Sequence, residues 1–401
     1  MQAATTGTFG ASAPPRPDDP VPAAAPPGRA GERWRASLVA LAVATAVYLV
    51  VGLSVAHLPW SGIEPRTRFF PGRTWLEGWV HFDAGWYYEI AENGYSFADG
   101  RQTPVAFFPA YPLLMRAVGD VLGSWLLAGV LVTLASGVAA AALFHAWLRH
   151  KLSPPAAWTA LLLFLLYPYA FFLYGAVYAD ALFIAAAIGS FLLVERDRPW
   201  LAGLVGAVAT AARPLGFVLL VGLALRLVER RGGLRRVRWR DAGVLVAGLG
   251  IGSFCLYLWG RFGSPLAFLE AQEAWAQEAG WRTWLKVQFF RDIADARSPA
   301  AWLVFAAHPA LTLASLALVP RVVRRFGWGY GVFTLLVVGL AALGTKNFFG
   351  MARYVLAAFP VFAVAGDWLA ARPRLRVAGL AAAALLLAVA SSHFARGHYL
   401  S

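Results

Sequence analysis

Long apolar stretches separated by short basic hinges recur along most of this chain, and that alternation restricts its fold more than any other feature. A backbone in lipid must satisfy its own hydrogen bonds, so repeated apolar stretches of about 15 to 24 residues read as membrane helices. Composition agrees: the 401 residues are 59% hydrophobic and only 14% charged, with a mean hydropathy of +0.59. No ordinary soluble domain of this length has such a balance. The single cysteine, Cys255, rules out a disulfide within the chain and any thiolate cluster, and reads as a small buried hydrophobe. The formal charge of +14 sits in the hinges rather than on one soluble face. It therefore reports topology and attraction to anionic headgroups, and nucleic acid is not expected as a partner.

Residues 1–33, rich in Ala, Pro and Gly, carry too little apolar surface to offset the entropy of ordering and are expected to be a disordered cytoplasmic tail. Residues 34–401 are expected to form one transmembrane domain. Candidate spans are 36–58, 124–147, 156–173, 178–194, 199–212, 214–228, 241–262, 300–319, 328–344, 354–371 and 377–395. The fold class is thus an all-α polytopic membrane protein, a bundle of about eleven transmembrane helices. The first span is longer than a signal-peptide core and is preceded by Arg29, Arg33 and Arg35, so it reads as an uncleaved anchor with its N-terminus cytoplasmic. If 199–212 and 214–228 are two short helices meeting at Arg213-Pro214, every short basic hinge falls on the cytoplasmic side. A single kinked span would put ERRGGLRRVRWR, 229–240, outside. The pair is preferred, which places the first loop, 59–123, together with 175–180, 263–299 and 345–354 on the extracytoplasmic face of the plasma membrane. Within the first loop, 107–123 sets Leu113, Leu114, Ala117, Val118, Val121 and Leu122 on one helical face, as in a short helix lying in the membrane interface.

The first loop also carries HFDAGWYYEIAENGY, 81–95. Asp83, set among aromatic side chains just outside the membrane, is the candidate general base for a sugar hydroxyl; its alternative is a helix N-cap. Glu89 and Glu92 are neighbours on one helix surface and suit either a divalent cation or an acceptor. Asp180 opens a span and offers either a cap or a second polar contact. Arg213 lies in apolar surroundings and requires an anionic partner, Asp180 or a lipid phosphate. Lys346 and Arg353, in TKNFFGMARY, sit near the same boundary and suit a phosphate. No HExxH pattern, glycine-rich nucleotide loop or Walker motif is present, so no metal site or nucleotide cofactor is read, and a divalent cation is left open. With no soluble nucleotide-sugar domain, a sugar donor must come from the bilayer as a polyprenyl-phosphate sugar. On residues alone, an enzyme and a transporter with an outer polar site both stay open, although no repeated broken-helix motif of the transporter kind is found.

HFDAGWYYEIAENGY followed by AFFPAYPLL resembles the PIG-V-like mannosyltransferases, membrane enzymes of the GT-C glycosyltransferase class, whose corresponding segment reads W-D-x-x-W/Y-Y-x-x-I-A-x-x-G-Y and then F-F-P-x-Y-P. YADALF at 178–183, AARPLG at 211–216 and MARYVLAAFP at 351–360 agree with the same family. Two positions depart from the family pattern: Phe82 stands where the family has Trp, and Asp180 stands at the acidic position of Y-x-E-x-L-F, one methylene shorter than its Glu. The resemblance implies a GT-C-like bundle and inverting transfer of mannose from a polyprenyl-phosphate donor on the outer side. The acceptor would be a glycan, glycolipid or protein. In that scheme Asp83 is the base, Arg213, Arg353 and Lys346 stabilise the phosphate, and Tyr87 and Tyr111 line the sugar subsite with Asp180 and Glu92 as further contacts. Another lipid-linked sugar is the nearest alternative, ahead of a non-catalytic membrane partner.

Overall fold

The computed structural model describes residues 30–62, 67–274, 280–295 and 299–400; the expected tail, through residue 29, lies outside the described residues. The order opens with α1 (Ala30–His57), α2 (Thr74–Glu77), α3 (Asp83–Asn93), α4 (Ala110–Leu122), α5 (Trp125–Arg149) and α6 (Pro154–Leu165). It continues with α7 (Asp180–Glu195), α8 (Pro199–Thr210), α9 (Phe217–Arg231), α10 (Gly248–Phe262), α11 (Ala267–Glu273), α12 (Trp281–Trp284) and α13 (Val287–Asp295). Finally come α14 (Pro299–Phe326), α15 (Trp328–Gly344), α16 (Met351–Ala357), α17 (Phe359–Ala370) and α18 (Pro373–Ala395). Among the described residues there is no strand. Five helical stretches are long and apolar enough to cross a membrane, or six with the bent α16–α17 pair, while α6, α8 and α15 are shorter apolar helices. The expectation of about eleven spans thus exceeds what length and composition establish.

Helix breaks fall at Pro168, Pro214 and Pro360, whereas Pro309 and Pro320 lie inside α14. The expected span 156–173 is corrected: α6 stops at Leu165 and a separate 3-10 turn covers Ala170–Leu173. Pro168 between them supplies no N–H and disfavours a helical Tyr167. The expected span 354–371 is likewise two helices, bent by 78°, because Pro360 cannot continue the hydrogen bonds of α16. Arg213 is extended, φ −151° and ψ 148°, as a residue before proline prefers, so the chain leaves α8 and turns into α9. Arg231, at the end of α9, reaches Asp197, just ahead of α8, at 2.5 Å. The two helices therefore double back as a pair rather than forming one kinked span.

Buried helix α7 is the centre of the bundle. Apart from its first and last residues it is apolar or small throughout, and it packs against α5, α8 and α9. Its ends carry two separate polar layers, about 22 Å apart at 1.5 Å per residue. At one end Glu195 binds Lys151, Arg226 and Arg230 at 2.8–2.9 Å and accepts from the Tyr330 hydroxyl. Asp180 occupies the other end. The outward faces remain apolar: α1 exposes Leu49 and Leu53, α18 exposes Val377 and Leu385, and α4 exposes Leu113 and Val121. Large apolar faces of this kind belong to a surface in contact with lipid.

Small residues allow close helix approach, and Gly366 of α17 is the clearest case. A Cβ there would lie 2.4 Å from Cα of Ala160 in α6 and 2.5 Å from its backbone nitrogen. Gly366→Leu should therefore cost at least the usual overpacking penalty of about 1–3 kcal/mol. Gly252→Ala on α10, where a Cβ meets nothing within 4 Å, should leave stability level or slightly raised. Thermal midpoints in detergent check this pair, and equal midpoints would contradict the α6–α17 contact.

Candidate active site

Four charged side chains from distant parts of the chain meet at the Asp180 end of the bundle. Asp83 is the first residue of α3, and the residue before it, Phe82, has φ 53° and ψ −112°, a conformation a bulky side chain rarely adopts. Phe82 is held there by Tyr399 and Phe394, with ring centroids 4.9 and 6.1 Å away. The Asp83 amide donates to the Tyr178 hydroxyl at 3.3 Å, and the N-cap position of α3 is held by Phe82, with Asp83 as the first helical residue. Its Oδ2 accepts from Nη1 of Arg353 at 3.2 Å. The N-cap alternative for Asp83 is therefore not realised.

Arg353, on α16, also lies against Asp180. Its Nε is 3.2 Å from Oδ2 of Asp180, a charge contact not aligned as a hydrogen bond. The guanidinium is flanked by the rings of Tyr178 and Phe172, 4.8 and 5.3 Å from their centroids, which favour a cation desolvated in this way. Asp180, 1% exposed, in turn accepts from Nη1 of Arg213 through its other oxygen, and Arg213 sits over the Tyr354 ring at 4.9 Å. The anionic partner required by Arg213 is thus Asp180, whose short side chain reaches both arginines. The result is an alternating row, Asp83–Arg353–Asp180–Arg213, with formal charges that cancel. Such a row is tolerable in a dry site only while complete, since one deleted member strands a buried charge.

The row forms one wall of a cavity of about 740 Å³, where Asp83, Arg213 and Arg353 are joined by Tyr87, Lys346 and Asn347. Its remaining walls include the apolar side chains Phe217, Ile251, Phe268 and Leu340. Four charged side chains, Asp83, Arg213, Lys346 and Arg353, thus face a cavity whose other walls mix apolar side chains with the amides of Gln272, Gln288 and Asn347. Burial pushes the Asp83 carboxyl above the usual carboxylate range, and the Arg353 guanidinium opposes that rise without cancelling it.

The other sequence candidates divide clearly. Tyr87 lines the cavity and meets Tyr111 edge to face at 4.9 Å. Tyr111 does not line it: fully buried behind Tyr87, its hydroxyl donates to the Gly129 carbonyl at 2.8 Å and lies 2.8 Å from Thr133. Its sugar-lining role is corrected to a packing one. Glu92 is exposed on the far side of α3, accepts from the Tyr88 hydroxyl at 3.4 Å, and is not a cavity residue; Glu89 does not line the cavity either. The helical turn that makes these two glutamates neighbours also turns them away from Asp83. Among the described residues no group of three or more His, Cys, Asp or Glu side chains gathers as a cation site. The cation left open at Glu89 and Glu92 therefore gains no third ligand.

Two residues not singled out in the sequence brace the wall, and of these Asn347 lines the cavity. Lys286 donates to the carbonyls of Ala342 and Thr345 at the end of α15, and burial lowers its ammonium to about 8. Asn347 donates to Asp292 of α13 at 2.7 Å. These two contacts clamp α12 and α13 onto the segment carrying Lys346. Their only sequence signal was polarity between apolar stretches, since the carbonyls that Lys286 satisfies belong to another helix end and the carboxylate that Asn347 meets belongs to another segment.

Comparison with known proteins places this geometry in a family context. Residues 72–230 match the family model described as Mannosyltransferase (PIG-V). GPI alpha-1,6-mannosyltransferase 2 of Rattus norvegicus is 36% identical over 154 residues, covering 36% of this chain and 30% of that protein. The Mus musculus protein of the same name is 35% identical over 156 residues, covering 36% and 31%. The match thus spans under a third of these relatives' own length. Among solved structures, the Archaeoglobus fulgidus oligosaccharyltransferase in the apo form is similar with a TM-score of 0.51 at 15% identity, over 90% of this chain and 56% of that one. The fold is accordingly of the GT-C type, and the PIG-V resemblance read from the motifs holds over the matched segment. That segment contains Asp83, Asp180 and Arg213, whereas Lys346 and Arg353 lie beyond it.

The charge row makes a stability prediction. Arg353→Met leaves Asp83 and Asp180 without their shared cation and should cost about 3–5 kcal/mol. Asp83→Asn combined with Arg353→Met should cost clearly less than the sum of the two single changes. Thermal midpoints of the four proteins complete the cycle, and additive losses would deny the coupling.

Proposed function

We propose that this chain, a relative of the PIG-V mannosyltransferases, moves a mannosyl residue from a polyprenyl-phosphate donor to an acceptor hydroxyl. The observation that carries this reading is the raised, cavity-facing carboxylate of Asp83, held by Arg353 beside a largely apolar cavity. The acceptor oxygen attacks the anomeric carbon, the bond from that carbon to the phosphate oxygen breaks, and the acceptor proton passes to Asp83. Polyprenyl phosphate leaves from the opposite face, so the anomeric configuration inverts. Arg213 and Lys346 stabilise the departing phosphate, each at a scale of about 3 kcal/mol. Arg353 acts mainly through Asp83, because its guanidinium is already committed to two carboxylates.

An extracytoplasmic site in the plasma membrane is part of the proposal. Its support is the separation of Asp180 from the basic layer around Glu195 by the length of α7, together with the tendency of Arg and Lys hinges to stay cytoplasmic. The acceptor class, whether glycan, glycolipid or protein, follows from the product. A donor carrying another sugar on the same lipid phosphate is the second reading, favoured by the same apolar cavity.

Membranes containing the protein, incubated with radiolabelled polyprenyl-phosphate mannose, should pass label into a new product, and Asp83→Asn should lower that transfer by about 100-fold or more. Parental transfer by a folded Asp83→Asn protein would remove Asp83 as base. Asp83 works as the carboxylate, so kcat/KM should fall as pH drops through its raised pKa, an acid limb above the ordinary value of about 4. Because the folded state holds this proton more tightly than the unfolded chain, ionising Asp83 costs stability as pH rises through the same range. A limb at or below about 4 would contradict the buried environment.

A further inference from the structure

The segment after α18, residues 396–400, returns across the first loop and adds a wall to the cavity. Two glycines make the crossing possible. A Cβ on Gly62 would lie 2.6 Å from the Gly397 carbonyl oxygen, and one on Gly397, at φ 82°, would lie 2.3 Å from the Trp60 ring. Nε2 of His398 is 2.6 Å from the Ser61 hydroxyl, and its ring meets that of His393 edge to face at 4.9 Å. This clasp fixes the next residue, Tyr399, which lines the cavity while remaining 40% exposed.

Tyr399 joins the two chemically different sides of the site. On one side its ring packs edge to face with Phe82, the residue before Asp83. On the other it stacks nearly parallel to Phe349, with centroids 5.5 Å apart and planes at 17°, and Phe349 follows Lys346 and Asn347 on the same cavity-lining segment. An aromatic surface therefore runs from the proposed base to the proposed phosphate-binding side. A sugar ring undergoing transfer must lie between those two groups. Aromatic faces suit the C–H face of a pyranose, since a rigid ring presents contact area with a polar tip at small entropic cost.

We infer that Tyr399, backed by Phe349, is the platform on which the sugar ring of the lipid-phosphate donor rests, and that the 396–400 segment is therefore part of the donor subsite. This rests on the function proposed above. The contact is to the sugar alone; the lipid phosphate and the acceptor are held elsewhere.

Binding to the purified full chain in detergent tests it without knowledge of the acceptor, using two probes, polyprenyl-phosphate mannose and bare polyprenyl phosphate. The parental protein should bind both. Tyr399→Ala should weaken the mannose-bearing lipid by about tenfold and leave bare polyprenyl phosphate within about twofold, while Tyr399→Trp should keep both near parental values. Equal affinity of Tyr399→Ala and the parental protein for the mannosyl donor would overturn the inference and leave the proposed function standing. Equal loss for both lipids would also overturn it, because a disturbed fold or a lost phosphate contact does not distinguish the sugar. A parental protein that binds neither lipid would end the proposed function, and the inference with it.

Discussion

A carboxylate largely buried beside an arginine sets the terms for the rest of this structure. Asp83 cannot stay charged there unless a cation faces it, and the cation, Arg353, cannot be buried without compensation of its own. Asp180 supplies part of that compensation and the rings of Tyr178 and Phe172 supply more. Asp180 is then bound to Arg213, so satisfying one charge recruits side chains from α3, α7, α16 and the break between α8 and α9. The segments are distant in sequence, and removing any single member of the row leaves a buried charge unanswered.

The breaks in the helices serve the same end. Irregular backbone at membrane depth is tolerated where it is buried in protein or lines a cavity, and the prolines of this bundle put it there. Pro214 forces Arg213 into an extended conformation that turns α8 back into α9, bringing Arg213 onto Asp180. Pro360 bends α16 away from α17, so the short helix bearing Arg353 takes its own direction. Phe82, held at positive φ by rings from the far end of the chain, starts α3 with Asp83 turned toward the arginine instead of capping its helix. Backbone strain at such a position has a plain counterpart in the contact it creates.

Two polar layers with different chemistry cap the ends of α7. The layer at Glu195 is a dense set of ion pairs with arginine in excess and does structural work, tying α5, α7, α9 and α15 together. At Asp180 the charges balance and border a cavity. The segment matched by the family model runs from α2 to α9, holding both Asp180 and the Glu195 layer, but ends before Arg353. The charge row is thus completed by a residue outside the match, which explains how a partial family likeness carries a whole-chain site.

Much of this architecture is legible in the sequence. Hydropathy and hinge charge determine a helical membrane protein, because a backbone in lipid has few other solutions. The stretch 81–95 stood out because a carboxylate among aromatics beside long apolar runs needs a reason, and Arg213 demanded an anion for the same cause. Spacing along one helix was a poorer guide: Glu89 and Glu92 share a face of α3, but that face turns away from Asp83, and Tyr111 proved to be packing behind Tyr87. Helix length was overestimated at Pro168 and Pro360, where apolar composition continues through a backbone that cannot. What only the tertiary structure decided is partnership. Arg353 answers Asp83, Lys286 answers carbonyls of another helix, and Tyr399 completes a wall begun at Phe82 more than 300 residues earlier. Composition states that a buried charge must be answered; long-range packing alone states by which residue.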